Sequence, residues 1–330
     1  MISCEKQNEY EYYESVSQII NESVSKIKVF DKVYLDDISF ADDAVGFISG
    51  HYEYAVITKT TDGGNNWREI PVIIDGQTIR QIEKIYAKNR NEIYGSFWDS
   101  EKGTCFSNDG GKTWTIINNL SWRELFFTTP QVGFMVHESG DILKTQDGGK
   151  NWSTVQEAFG GIKYPNQYLE NCFFTSENIG YAFGGATIVD IEGGGCVFGG
   201  IIKTTDGGNT WFRLDSWNDS DNPVELVFTD DNTGYAFSSI GNIYRTTDGG
   251  ITWVLFEEAT DIGYVNNAVI TKSDDIYINK DRGIYKTTNK FESLKNIYYG
   301  SSIIGKIIQI PDKSIFAFSI DDSSVIKIDL

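Results

Sequence analysis

The chain has 330 residues, a formal net charge of −19, and 40% hydrophobic and 14% aromatic residues. That length suits one large domain with ample apolar surface to bury. The charge argues against nucleic acid and against anionic membrane surfaces, which would repel the chain at long range. That charge favours basic or neutral partners, and no apolar run approaches the roughly 20 residues that cross a bilayer as a helix.

In chain order, the first feature is MISC at 1–4, which has the form of the end of a bacterial lipobox, followed by a polar, acidic stretch. On that reading residues 1–24 are a tether, Cys4 carries lipid, and the protein belongs to a bacterial cell envelope or is secreted. The alternative is that Met1 is the true start and Cys4 an ordinary cysteine, because three residues cannot make a signal peptide. SKIKVF at 25–30 then alternates polar and apolar residues, as a strand does. No other strand of its own unit accompanies it there.

From residue 40 onward one unit recurs at spacings of about 40 residues. Its most regular part is a phrase of the form Ser/Thr-x-Asp-Gly-Gly-x-x-Trp at 60–67, 107–114, 145–152, 204–211 and 246–253. Asp-Gly between alternating apolar stretches signals a tight hairpin, because glycine reaches the positive φ such a turn needs. Each phrase therefore joins two antiparallel strands. Asp62, Asp109, Asp147, Asp206 and Asp248 are expected to accept loop N–H bonds, with Trp67, Trp114, Trp152, Trp211 and Trp253 covering the turns. One carboxylate per loop falls short of the six to eight oxygens calcium wants, so no metal and no cofactor is expected. A sixth copy, TTNKFESL at 287–294, keeps its Thr but has lost the Asp, both glycines and the Trp.

A second phrase begins each unit: FADDAVGF at 40, FTTPQVGF at 127, FTSENIGY at 174 and FTDDNTGY at 228, with looser versions at Tyr86, Ile270 and Ile310. Seven units of four short strands match a seven-bladed β-propeller. The seventh unit ends at 324–330, where its fourth strand should follow. An unpaired edge there would invite aggregation. The strand at 25–30 is therefore expected to complete the last blade, giving a single domain over 25–330 and a monomer.

The two phrases together, F-x-x-x-x-x-G-[FY] followed by K-T-x-D-G-G-x-x-W, resemble the Asp-box, or BNR, repeat. The layout is most similar to the photosystem II assembly-factor type across nearly all of 25–330. That resemblance implies an all-β propeller whose boxes are structural. It leaves function open, because the box is shared by hydrolases and by non-catalytic scaffolds.

The alternation of strand connections places the boxes and first hairpins on one face of the ring. The long insertions at 95–104, 155–169, 184–200 and 215–223 fall on the other, where binding usually resides. Three residues before the reference position of each inner strand stand Asp37, Glu83, Glu124, Asn171, Glu225 and Asn267, with Ile307 as the exception. They are expected to form a mainly acidic ring at the channel mouth, with Arg123 beside it and Trp98, Tyr164, Tyr168 and Trp217 as aromatic platforms. A cation, a basic peptide or a polyol would suit that ring; solvation of a water-filled channel explains it more simply, because strand-end polar residues facing water need no ligand.

Catalytic constellations are sparse. Of seven arginines, Arg80 and Arg123 alone fall near inner-strand starts, which does not make a sialidase triad, and the only histidines are His51 and His137. A glycosidase could draw a carboxyl pair such as Glu83 and Glu124 from the ring. Cys105, Cys172 and Cys196 follow no metal-ligand spacing, although a Cys172–Cys196 disulfide is conceivable. The favoured reading is a non-catalytic scaffold that binds a protein or peptide through its long-loop face, in assembly or quality control of envelope proteins. A carbohydrate-binding or glycoside-hydrolysing propeller, with a glycan as partner, is the alternative.

Overall fold

Strand pairing in the computed structural model groups the 28 strands found among the described residues into seven four-stranded antiparallel sheets. The described residues are 24–330 apart from 30–32, 71, 75–77, 99–101, 158–166, 190–194, 219–220, 258–264, 289–290, 292 and 311–312. Blades 1 to 6 span residues 34–70, 81–118, 122–156, 167–213, 223–257 and 267–299. Blade 7 combines Ile304–Ile310, Ser314–Ser319 and Ser324–Asp329 with the N-terminal strand Val24–Lys28. The first strands of neighbouring blades line a central channel, and that of blade 7 lies against that of blade 1, closing the ring.

The closing strand starts one residue earlier than expected and is shorter. Val24 lies opposite Ile328 and Lys28 opposite Ser324. Lys26 Nζ reaches Asp322 at 2.5 Å, and the Ser323 hydroxyl both accepts the Val33 N–H at 2.8 Å and donates to the Val33 carbonyl at 2.6 Å. The last edge of the ring is thereby paired by the first strand of the chain.

Each box is a self-contained hydrogen-bonded turn. In blade 4, Asp206 Oδ1 accepts the Asn209 and Thr210 N–H groups at 3.0 and 2.9 Å, and Oδ2 accepts the Thr210 hydroxyl at 2.6 Å. Thr204 Oγ1 accepts the Gly208 N–H at 2.9 Å. Such donors, led by the side chain four residues on, hold the carboxyls of Asp62, Asp109, Asp147 and Asp206 at about 2. The first glycine donates to the first hairpin of its own blade, as Gly63 does to the Ala44 carbonyl at 2.9 Å. Boxes and first hairpins therefore share one face.

The second glycine of the box faces the preceding blade. A Cβ on Gly64 would lie 2.4 Å from Phe316, and one on Gly208 2.3 Å from Phe134. Beside it, Phe228 of blade 5 stacks on Tyr181 of blade 4 with centroids 4.4 Å apart, and box Trp253 meets Phe228 edge-on at 6.0 Å. The same triad recurs as Phe134, Phe174 and Trp211 at the seam of blades 3 and 4. Such aromatic pairs each add about 0.5–1.5 kcal/mol beyond the area they bury. A lysine straps the seam: Lys203 Nζ lies 5.3 Å from the Tyr181 ring centroid and donates to the Gly249 carbonyl at 2.6 Å. Lys59, Lys88 and Lys144 reach Gly110, Gly148 and Gly207 in the same way.

The degenerate sixth copy keeps the geometry with different atoms. Thr287 Oγ1 still accepts the N–H four residues on, from Phe291 at 3.0 Å, and Phe291 adopts φ 69°. Its ring enters the seam of blades 5 and 6, 5.5 Å from Tyr235 and 5.8 Å from Phe237. Packing thus offsets the left-handed backbone that glycine would adopt without strain. Among the described residues the buried apolar side chains accordingly form seven clusters, each shared by two neighbouring blades.

Two outcomes follow from these contacts. Removing residues 1–32 should lower the melting temperature and promote aggregation, as read by calorimetry and light scattering; an unchanged melt would show that the N-terminal strand does not close the ring. Asp206→Ala should cost about 2 kcal/mol at neutral pH. Because the native carboxyl titrates below its unfolded value, the gap between wild type and variant should narrow as pH falls from about 4 to about 2, measurable by urea denaturation.

Candidate functional site

The inner edge of each blade faces the channel with no further strand to pair it, so its N–H groups need other acceptors. Most first strands also carry a bulge near their long-loop end, between Leu35 and Asp37, Ile82 and Lys84, Trp122 and Glu124, Leu169 and Asn171, Pro223 and Glu225, and Ile304 and Ile307. A bulge brings two successive side chains toward one side. The residue after it is opposite the second strand at Ser49, Ser96, Val136, Phe183, Phe237 and Ala317 in turn. In blade 6 Asn267 takes that position opposite Asn279.

This register corrects one member of the expected ring. In blade 2 the equivalent of Asp37 is Lys84, and Glu83 is the bulged residue before it. The shift arises because Ala87, opposite Ile93, occupies the place that Phe40 holds in blade 1 opposite Gly46. The aromatic Tyr86 resembles Phe40 in sequence but sits one residue early. Its ring stacks on Phe127 at 6.0 Å and its hydroxyl accepts the Phe127 N–H at 3.1 Å. Glu83 and Glu124 therefore do not occupy matching positions.

The ring residues are engaged with backbone and with one another. Asn267 Nδ2 donates to Glu225, and Asn267 Oδ1 accepts the Ile307 N–H at 2.9 Å. Lys306 Nζ donates to Asp37 Oδ1 at 3.1 Å, and Asp37 Oδ2 accepts the Ile85 N–H at 3.1 Å. A polar belt thus runs from blade 5 through blades 6, 7 and 1 to blade 2, across the seam where the chain ends meet. Glu124, Asn171 and Glu225 turn back to accept the N–H of the next residue, at 3.3, 2.7 and 3.0 Å.

Lys306 is the charge around which the belt is arranged. Burial disfavours its ammonium, yet Asp37, with Glu124 and Glu225 beyond, holds its pKa above the ordinary value. Glu225 is 6% exposed, and burial pushes its carboxyl from 4.5 up to about 7, against the pull of Asn267 and the Leu226 N–H. Sequence reasoning missed Lys84 and Lys306: a bulge shifts the count by one, and Lys306 stands beside the apolar Ile307.

Outside the belt the long-loop face carries two further groups. Arg123 Nη1 meets both carboxylate oxygens of Glu170 at 3.2 Å, and its guanidinium lies 5.3 Å from the Tyr168 ring centroid. In blade 1, His51 Nδ1 lies 2.8 Å from an Asp36 oxygen, and Gln81 donates to Asp36 at 2.8 Å. The insertion at 184–200 is mostly strand: Gly180–Val189 and Gly195–Thr204 extend the blade 4 hairpin beyond its neighbours.

Several expected platforms fare differently. Trp217 is 3% exposed, packed 4.7 Å from Tyr244, with its indole N–H on the Asp221 carbonyl at 2.7 Å. It is a core residue and not a platform, because the segment after blade 4 folds inward to cover the seam with blade 5. Trp98 ends a strand of blade 2, but its side chain, Tyr164 and Cys4 lie outside the described residues. Cys172 is a buried free thiol whose pKa burial raises. A Cys172–Cys196 bond is excluded, since the two are opposite Ala182 and Ile188 of one strand, about 20 Å apart along it. Among the described residues no group of three or more His, Cys, Asp or Glu could hold a metal ion.

Comparison with known proteins adds an independent line. The family model described as "Photosynthesis system II assembly factor YCF48" matches residues 17–168 and 121–293. A curated relative, the "Photosystem II assembly lipoprotein Ycf48" of Prochlorococcus marinus, is 29% identical over 150 residues, 44% of either chain. The chain thus aligns with less than half the length of that relative. The solved structure "YCF48 bound to D1 peptide" superposes with TM-score 0.70 at 17% identity, covering 94% of this chain and 98% of that one. A xyloglucanase of Xanthomonas campestris shares the fold at TM-score 0.59 and 12% identity, over 86% of this chain and 50% of its own.

The belt makes a measurable prediction. Glu225 binds its proton more tightly in the native state, so its contribution to stability declines as pH rises from about 4.5 to about 7. Glu225→Gln removes that slope, and over this window the variant should gain on the order of 3 kcal/mol relative to wild type. Urea denaturation at pH 4.5, 6 and 8 tests this; a pH-independent difference would show an unperturbed carboxyl.

Proposed function

Given that the chain belongs to the photosystem II assembly factor Ycf48 family, we propose that it is a non-catalytic scaffold that binds a protein or peptide through its long-loop face. The observation that carries this reading is the capture of a D1 peptide by a family propeller that superposes on nearly the whole of this chain. A rigid ring with variable loops on one face is suited to such work. The role would be in assembly or quality control of envelope proteins.

The curated relatives are named lipoproteins, which supports an envelope location and a lipid on Cys4. The closing strand then sets an orientation. Lys28 lies beside the 320–323 turn on the long-loop face, whereas Val24 lies at the opposite end, opposite Ile328. A tether of residues 1–24 would meet the ring at the box face, where Val24 begins the closing strand.

Tagged protein and the Arg123→Ala/Tyr168→Ala variant, incubated with a D1 peptide and with an envelope fraction of the native host, test the proposal. A defined partner or peptide bound by wild type and at least tenfold more weakly by a variant of unchanged melting temperature is expected. Equal binding by both proteins would move the surface elsewhere.

A further inference from the structure

Cations in this propeller are repeatedly set over aromatic rings. Lys59 lies over Phe47, Lys144 over Phe134, Lys203 over Tyr181 and Arg123 over Tyr168, with distances of 5.0–5.4 Å to the ring centroids. The long-loop end of blade 1 carries three exposed tyrosines. Tyr34 is 49% exposed, Tyr52 67% and Tyr54 55%. Among the described residues, no cation–ring contact involves any of the three. Tyr34 lies opposite His51, and Tyr52 and Tyr54 occupy the turn that follows.

The floor of this patch is fixed. The His51 ring lies 5.8 Å from that of Tyr34, tilted by 31°. Its Nδ1 is held by Asp36, which also takes the Gln81 amide from blade 2. The Ala55 N–H is tied to the Ile79 carbonyl at 2.9 Å, anchoring the turn to the segment entering blade 2. Ring faces mounted on a fixed base lose little freedom on binding. Glu53 is exposed between Tyr52 and Tyr54, on a chain of net charge −19.

We propose that Tyr34, Tyr52 and Tyr54 form a docking platform for an extended peptide segment carrying a lysine or arginine, whose cation rests on the open ring faces against Glu53. This rests on the reading that the long-loop face binds peptides, and it names the side chain that face selects. The ring faces supply the cation–π attraction, and the tyrosine hydroxyls remain free to meet peptide backbone.

The test is an array of random 12-residue peptides, probed with wild type, with the Tyr34→Ala/Tyr52→Ala/Tyr54→Ala variant and with the corresponding triple Phe variant. The three rings are exposed, so equal melting temperatures are expected and are checked first. Wild type should favour peptides containing Lys or Arg, the Ala variant should lose at least tenfold in affinity for them, and the Phe variant should retain most of it. Glu53→Gln and 300 mM salt should each weaken binding.

Basic peptides that bind the Ala variant as well as wild type would overturn the platform while leaving a peptide-binding face in place. Peptides lost in the Ala variant but showing no preference for Lys or Arg would overturn the cation chemistry. Binding of a glycan array, abolished by the same variant, would do so too. A wild type that selects no peptide would remove the underlying reading together with this one.

Discussion

The contact between the second glycine of each box and the blade before it governs the ring. A Cβ there would come within about 2.3–2.6 Å of the neighbouring blade at Gly64, Gly111, Gly149 and Gly208, so glycine sets how closely consecutive blades approach. The lysine strap and the Phe–Trp pair then fill and hold the seam. The Asp carboxylate keeps the glycines in a left-handed turn by taking up the N–H groups that the turn exposes. The box is therefore an interface device as much as a turn. This explains why the buried residues divide into clusters between blades.

At the other end of the blade a different constraint operates. The innermost strands have a free edge toward the channel, and side chains, not a further strand, must satisfy it. Asp37, Asn267 and Glu225 do so while linking blades 5, 6, 7, 1 and 2, and Lys306 balances their charge. An acidic ring viewed as sequence becomes, in three dimensions, a belt that is largely occupied. Arg123 with Tyr168, and the tyrosines of blade 1, lie outside it.

The parts of the site that sequence reasoning reached and missed divide along the same line. Glu124, Asn171, Glu225 and Asn267 share one register because an aromatic or apolar reference residue stands three positions on in each copy. Blade 2 defeated the count because Tyr86 mimics the reference residue that Ala87 occupies, and a one-residue slip in a strand turns a side chain to the other face. Trp217 appeared as a loop aromatic, yet burial of its rings against Tyr244 and Trp253 draws it into the seam.

What the sequence by itself determined was the repeat: the turn that Asp-Gly-Gly imposes, the number of blades, and the need for an N-terminal strand to complete the last one. These are local rules, expressed within a few residues and repeated until unmistakable. Only the tertiary structure decided which blade a side chain faces. The lysine of K-T-x-D-G-G straps the following blade and not its own, Phe291 replaces a glycine by filling a neighbour's seam, and Lys306 of blade 7 pairs with Asp37 of blade 1. Those partners lie tens to hundreds of residues apart, and only closure of the ring brings them together.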